Sequence, residues 1–109
     1  MPLTDTEKRE LGRFRDRVRE TLGEPRTEVR LFGSKARGDD GPYSDLDVLV
    51  IVSGGDWRLR DKVSALAMDS LLESGVLISP KTLTRRQIRQ LKHDGSPFIR
   101  NAEQDWIRI

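Results

Sequence analysis

A chain of 109 residues with 35% hydrophobic and 35% charged side chains is long enough for one modest core and too short for two, so a single domain over 1–109 is expected. No cysteine and one histidine, His93, are present, which excludes disulfides, thiolate metal sites and a histidine-based metal cage. The net charge is only +2, no apolar run is long enough for a membrane span, and MPLTDTEKRE lacks the layout of a secretory signal; the expectation is a soluble, cytoplasmic protein with no membrane partner.

The charge is unevenly spread. Residues 80–109 carry seven Lys/Arg against three Asp/Glu, whereas residues 1–79 carry 13 against 15. A basic C-terminal end could meet nucleic acid, a nucleotide or an acidic protein surface, but with charges this frequent a solvated face is the simpler reading.

In chain order, Thr4 with Glu7 three residues on forms a capping box, and Leu11, Phe14, Val18 and Leu22 fall at helical spacing until Gly23 and Pro25, predicting a helix over Asp5–Leu22. Its arginines, mixed with Glu10, Asp16 and Glu20, read as solvated ion pairs. Residues 28–32 read as a strand ending at Gly33, with one short helical turn over Ser34–Arg37. Leu46–Val52 is apolar on both faces except at Asp47, the pattern of an inner strand covered on both sides.

From Trp57 the apolar residues keep helical spacing to Gly75, a fitting left-handed cap. Val76–Ser79 reads as a short third strand closed by Pro80. Thr84 and Gln87 mark a cap before a helix that Gly95 ends, and Ser96 and Pro97 open a last short helix with Phe98, Ile99 and Ala102. Trp106, Ile107 and Ile109 form a closing apolar edge, and Trp57 and Trp106 read as core or interface packing rather than base stacking. The expected fold is α/β or α+β: a small mixed sheet flanked by helices.

The chemistry concentrates in GSKARGDDGPYSDLD, Gly33–Asp47. A glycine and a hydroxyl just after a strand, with a helical turn following, suit anionic oxygens; Lys35 and Arg37 add positive charge, although a plain tight turn has the same letters. Asp45 and Asp47 occupy alternate strand positions, so their side chains share a face about 7 Å apart along the backbone. Two carboxylates on one face suit a hard divalent cation such as Mg²⁺, and an ionised Asp47 inside an apolar strand calls for such a counter-charge. The alternative is a solvated strand start with an aspartate-rich turn.

Gly33-Ser34, ten residues, then Asp45-Leu46-Asp47, with the flanks LFGSKARG and YSDLDVLV, resembles the minimal nucleotidyltransferases of the DNA polymerase beta superfamily. The likeness runs through GVLISP and the Ser96–Phe98 triplet, covering most of the chain from Val29 onward. It implies transfer of a nucleoside monophosphate, here AMP from ATP, to an acceptor hydroxyl with loss of pyrophosphate. Gly33 and Ser34 would then hold the β- and γ-phosphates, with Arg37 either assisting there or bracing the loop, and Asp45 and Asp47 would be the catalytic carboxylates that bind two Mg²⁺ ions.

The family's active members carry a third carboxylate on the neighbouring strand; here Val76–Ser79 has no acid, and nothing in the sequence places Asp69 or Glu73 in the site. Small members of the family resemble the antitoxin half of two-gene modules that pair with a HEPN-domain toxin, which implies a protein partner supplying the acceptor and contact with nucleic acid only through that partner. The competing expectation is a catalytically degenerate nucleotide- or protein-binding module that neutralises its partner by contact. Arg86 and His93, with six residues between them, also formally fit a HEPN ribonuclease motif, but arginine is so frequent here that chance explains it.

Overall fold

A computed structural model describes residues 3–23, 27–37, 45–55 and 57–109, with the backbone alone at Ser34 and Arg37. The elements in order are α1 (Asp5–Leu22), β1 (Glu28–Phe32), α2 (Ser34–Arg37), β2 (Leu46–Val52), α3 (Trp57–Ser74), β3 (Ile78–Thr84), α4 (Arg85–His93), α5 (Pro97–Asp105) and β4 (Ile107–Arg108). Both expected capping boxes form: the Glu7 and Gln87 amides donate to the Thr4 and Thr84 hydroxyls at 3.0 Å. The stop expected at Pro25, the Asp56 end of β2's turn and the 38–44 part of the Gly33–Asp47 stretch lie outside the described residues.

The four strands form one mixed sheet in the order β3-β2-β1-β4. β2 is antiparallel to β1, with Phe32 opposite Asp47, and parallel to β3, with Asp47 opposite Ser79. Its central place explains its unbroken apolar run: only Asp47 escapes full burial. Alternation along the strands then divides the core in two. Val29, Leu31, Val48, Val50 and Val52 face Leu11, Phe14 and Val18 of α1 and Val63 and Ala67 of α3. Leu49 and Ile51 face Ile88 of α4 and Ile99 of α5, with Phe32, Leu83, Phe98 and Trp106 packed around them. Each fully buried side chain of this size contributes about 1.5–3 kcal/mol, which makes the sheet the rigid member on which the strand-end residues stand.

Two expectations about the strands need correction. The third strand is Ile78–Thr84, not Val76–Ser79, and runs straight through Pro80. The Leu46 amide donates to the Leu77 carbonyl at 2.9 Å; with Leu46 opposite Ile78, this phase turns the backbone groups of Leu77, Ser79, Lys81 and Leu83 toward β2 and those of Ile78, Pro80 and Thr82 away from it. The missing N–H of Pro80 thus falls on the outer side of an edge strand, where it costs no ladder bond. The closing apolar edge is also a strand, β4, pairing Ile107 with Leu31 and Arg108 with Arg30. Trp106 packs beside the sheet, with the Arg30 guanidinium 4.5 Å from its ring centre, and Trp57 is 66% exposed, which leaves it outside the core.

The charged face of α1 is not uniformly solvated. Glu10 is buried, its carboxylate accepting from the Ser70 hydroxyl at 3.1 Å and from Arg13 at 3.3 Å. Arg13 and Arg17 also reach Glu73, so a charged seam pins α1 to α3.

At the other margin, Glu28 accepts from Arg30 at 3.0 Å and from Arg108 at 2.6 Å, tying β1 to β4. Burial pushes the Glu28 carboxyl up, but the Arg30 hydrogen bond and the charges of Arg30, Arg108 and Arg85 together outweigh it and hold the group below its ordinary 4.5. A lowered folded value gives stability that is complete above the unfolded value and lost as pH falls through the folded one, so the window lies below pH 4.5. Glu28→Gln is therefore expected to melt earlier than the parent chain at pH 7, and the gap to close as thermal melts are repeated at decreasing pH below 4.5.

Candidate active site

The site is assembled where β1 ends and β2 and β3 begin. The antiparallel register sets Phe32 opposite Asp47, and the next residue, Gly33, turns the chain out of the sheet with φ 78°. Glycine is required there twice over. That φ lies in the left-handed region, and a β-carbon at this position would lie 2.5 Å from Asp47 Oδ2 and 3.3 Å from its Cγ. The Asp47 carboxylate thus lies directly against the Gly33 backbone, so the two halves of the motif meet in space.

α2 starts immediately afterward, at Ser34, as the sequence predicts, and its first backbone N–H groups have no partner within the helix. Ser34 and Arg37 bound this turn; their side chains lie outside the described residues. Lys35, which the sequence sets beside the turn as positive charge, also reaches back to α1. It is buried, with its ammonium 3.1 Å from Glu7 in the first turn of α1. A buried ammonium needs such a partner, and the pair braces α2 against α1.

Asp45 lies just before β2 and is exposed. Its Oδ2 accepts a 2.9 Å hydrogen bond from the Ser79 hydroxyl. Since Ser79 is the register partner of Asp47 across the parallel pair, this bond brings the Asp45 carboxylate to the strand position beside Asp47. The line of residues Gly33, Asp47, Ser79 with Asp45 crosses three adjacent strands at one end of the sheet. In sequence Ser79 only closes a stretch that lacks an acid; its contact with Asp45 spans 34 positions and follows from the parallel register, which no local pattern shows. Glu73 belongs to the α1–α3 seam, and Asp69 is an exposed residue of the same helix, so neither joins the site.

Among the described residues no group of three or more His, Asp or Glu side chains converges on one point. The available set is two carboxylates on one face, both hard oxygen donors. Mg²⁺ is commonly held by one or two carboxylates, with phosphate oxygens and waters completing its octahedron, so Asp45 and Asp47 fit that ion in company with a nucleotide. Beside them, Phe32 and Phe98 meet edge to face at 5.5 Å, and a hollow of 200 Å³ opens between Gly33, Phe98, Asn101 and Ala102. Lys81, two residues beyond Ser79 on the same strand face, holds its ammonium 4.5 Å above the Phe98 ring.

Comparison with known proteins agrees with this geometry. Residues 11–106 match the family model described as nucleotidyltransferase domain. A protein of Methanocaldococcus jannaschii bearing the name "Putative protein adenylyltransferase" is 32% identical over 90 residues, covering 74% of this chain and 60% of the relative. The chain thus spans less than two thirds of that relative's length. No solved structure matches it. With a family match over nearly its whole length and the motif's two halves in contact at one end of the sheet, the chain belongs to the nucleotidyltransferase domain family.

Proposed function

We propose that this protein transfers AMP from ATP to a hydroxyl on a protein partner in the cytoplasm, as the antitoxin of a pair with a HEPN-domain toxin. The observation that carries the transfer reading is the contact between the Gly33 backbone and the Asp47 carboxylate, with Asp45 joined to the same strand end through Ser79. Protein as the acceptor class is supported by the name of the Methanocaldococcus jannaschii relative; the pairing with a HEPN toxin rests on the likeness to small members of the superfamily.

In this reading the Gly33–Ser34 turn holds the β- and γ-phosphates, with Arg37 assisting, while Asp45 and Asp47 are the carboxylates for two Mg²⁺ ions. Those ions supply charge neutralisation at the phosphates. The acceptor oxygen attacks the α-phosphorus, the bond from that phosphorus to the bridging oxygen breaks, and pyrophosphate leaves; phosphoryl chemistry of this kind needs mainly positioning and charge. The acceptor's proton passes to an aspartate of the site, since a hydroxyl, that of Ser79, occupies the strand position opposite Asp47.

That same serine favours one alternative, a degenerate module that neutralises its partner by contact, because a positioned third acid would contribute a hundredfold or more. Incubation with α-labelled ATP, Mg²⁺ and the HEPN partner separates the two. Label transfer to the partner that is lost in Asp45→Asn supports the enzyme. Inhibition of the partner that survives both Asp45→Asn and Asp47→Asn, with no label transferred, sinks it.

A further inference from the structure

β3 is the outer strand of the sheet on one side, and its outward backbone groups are those of Ile78, Pro80 and Thr82, as the register with β2 requires. Among the described residues no strand takes them up. A bare edge of this length normally carries some protection against pairing. Here Pro80 removes one outward donor, yet the Ile78 and Thr82 amides and the carbonyls of all three residues remain directed outward.

The edge is also set in a trough. A cavity of 540 Å³ lies along it, walled by Arg60 of α3 on one side and by Leu91 of α4 and Phe98 of α5 on the other, with Pro80, Lys81 and Thr82 as its floor. A second cavity, of 270 Å³, shares Arg60 and Thr82 and continues toward Thr84. Both cavities are lined by cationic, polar and apolar residues, and among their described lining residues there is no acid. At its other end the trough adjoins Ser79, whose hydroxyl is bonded to Asp45.

We propose that this trough docks an extended, acidic segment of a protein, which adds to β3 as a further strand and carries a hydroxyl residue at the Ser79 end. Main-chain hydrogen bonds to Ile78 and Thr82 supply the affinity common to strand addition, and alternate side chains sit against Leu91, Phe98 and Lys81 on one face or beside Arg60 on the other. The two cations select carboxylates, since an acidic segment meets opposite charge and a basic one meets like charge. The role of the hydroxyl as AMP acceptor rests on the reading under Proposed function; the docking does not.

The test uses the full chain labelled with ¹⁵N and two capped hexapeptides, Glu-Val-Ser-Val-Glu-Val and its basic counterpart Lys-Val-Ser-Val-Lys-Val. The acidic peptide is expected to shift the amide signals of Ile78 and Thr82, and the basic peptide to leave them in place. Thr82→Pro removes an outward donor without touching the β2 ladder, and Arg60→Glu reverses the charge of one wall; each is expected to weaken binding about tenfold. Amide dispersion checks that Thr82→Pro folds, and Arg60→Glu, a surface change, gives an independent reading.

Absence of acidic-peptide binding, equal binding of both peptides, affinity unchanged in both variants, or shifts confined to the exposed Met68 and Leu72 of α3 would each overturn the proposal. A dimer that dissociates in Thr82→Pro would put a second copy in the trough and overturn it as well. With α-labelled ATP and Mg²⁺ added, docking without label on the peptide serine leaves this inference standing and counts against the transfer reading.

Discussion

Asp47→Asn is expected to remove nucleotidyl transfer by roughly a thousandfold or more, the several kcal/mol that metal-assisted charge stabilisation supplies in a transition state. The amide keeps the shape of the carboxylate, and Asp47 is only partly buried, so the chain should keep its helical circular dichroism and melt within a few degrees of the parent. The loss then belongs to chemistry and not to folding. A single-turnover assay with α-labelled ATP measures it; a variant retaining even a tenth of the parent rate would remove Asp47 from the reaction.

Gly33→Ala is expected to be nearly as damaging, for a different reason. A methyl group at that position enters the space of the Asp47 carboxylate, 2.5 Å from Oδ2, and holds an L residue at φ 78°. The left-handed conformation alone costs about 1–2 kcal/mol. The collision is relieved only by rotating the carboxylate away from the turn or by moving the turn away from β2, and either movement separates the two halves of the site. Transfer should fall at least a hundredfold, the scale on which small displacements of reacting groups act, with a modest drop in the melting temperature. Gly23→Ala serves as the comparison: that glycine is also left-handed, at φ 62°, but a β-carbon there meets nothing within 4 Å, so its variant should lose a similar amount of stability and no activity. Equal activity in Gly33→Ala and Gly23→Ala would mean that the Gly33–Asp47 contact has no part in catalysis.

The elements set by local chemistry were legible in the sequence. The boundaries of α1 and α4 follow from their capping boxes, and the inner position of β2 follows from an apolar run that alternation cannot explain. What local patterns missed came from pairing across long stretches of chain. Pro80 looked like a stop because a proline breaks a central strand, and only the phase of the β2–β3 ladder shows its nitrogen facing outward. β4 has two residues, too few for any periodic signal, and exists because β1 offers it an edge. Glu10 carries a charge that the sequence assigns to a solvated helix face and Lys35 one that it assigns to the turn, yet both are buried against partners on other elements.

The candidate site divides the same way. Gly33, Asp45 and Asp47 were legible as residue types at a fixed spacing. Their convergence depends on the register of two strand pairs, and the hydroxyl of Ser79 on Asp45 appears only once β3 is laid beside β2. The serine also accounts for how a strand end without a third acid still holds Asp45 in place beside Asp47.

The claim that Gly33, Asp45 and Asp47 form one metal-nucleotide site is tested most directly by calorimetric titration of ATP into the full chain, with Mg²⁺ and then with EDTA. Binding that requires Mg²⁺ and weakens about tenfold or more in both Asp45→Asn and Asp47→Asn is the expected result. Equal affinity in EDTA, or affinity unchanged in the two variants, would contradict it.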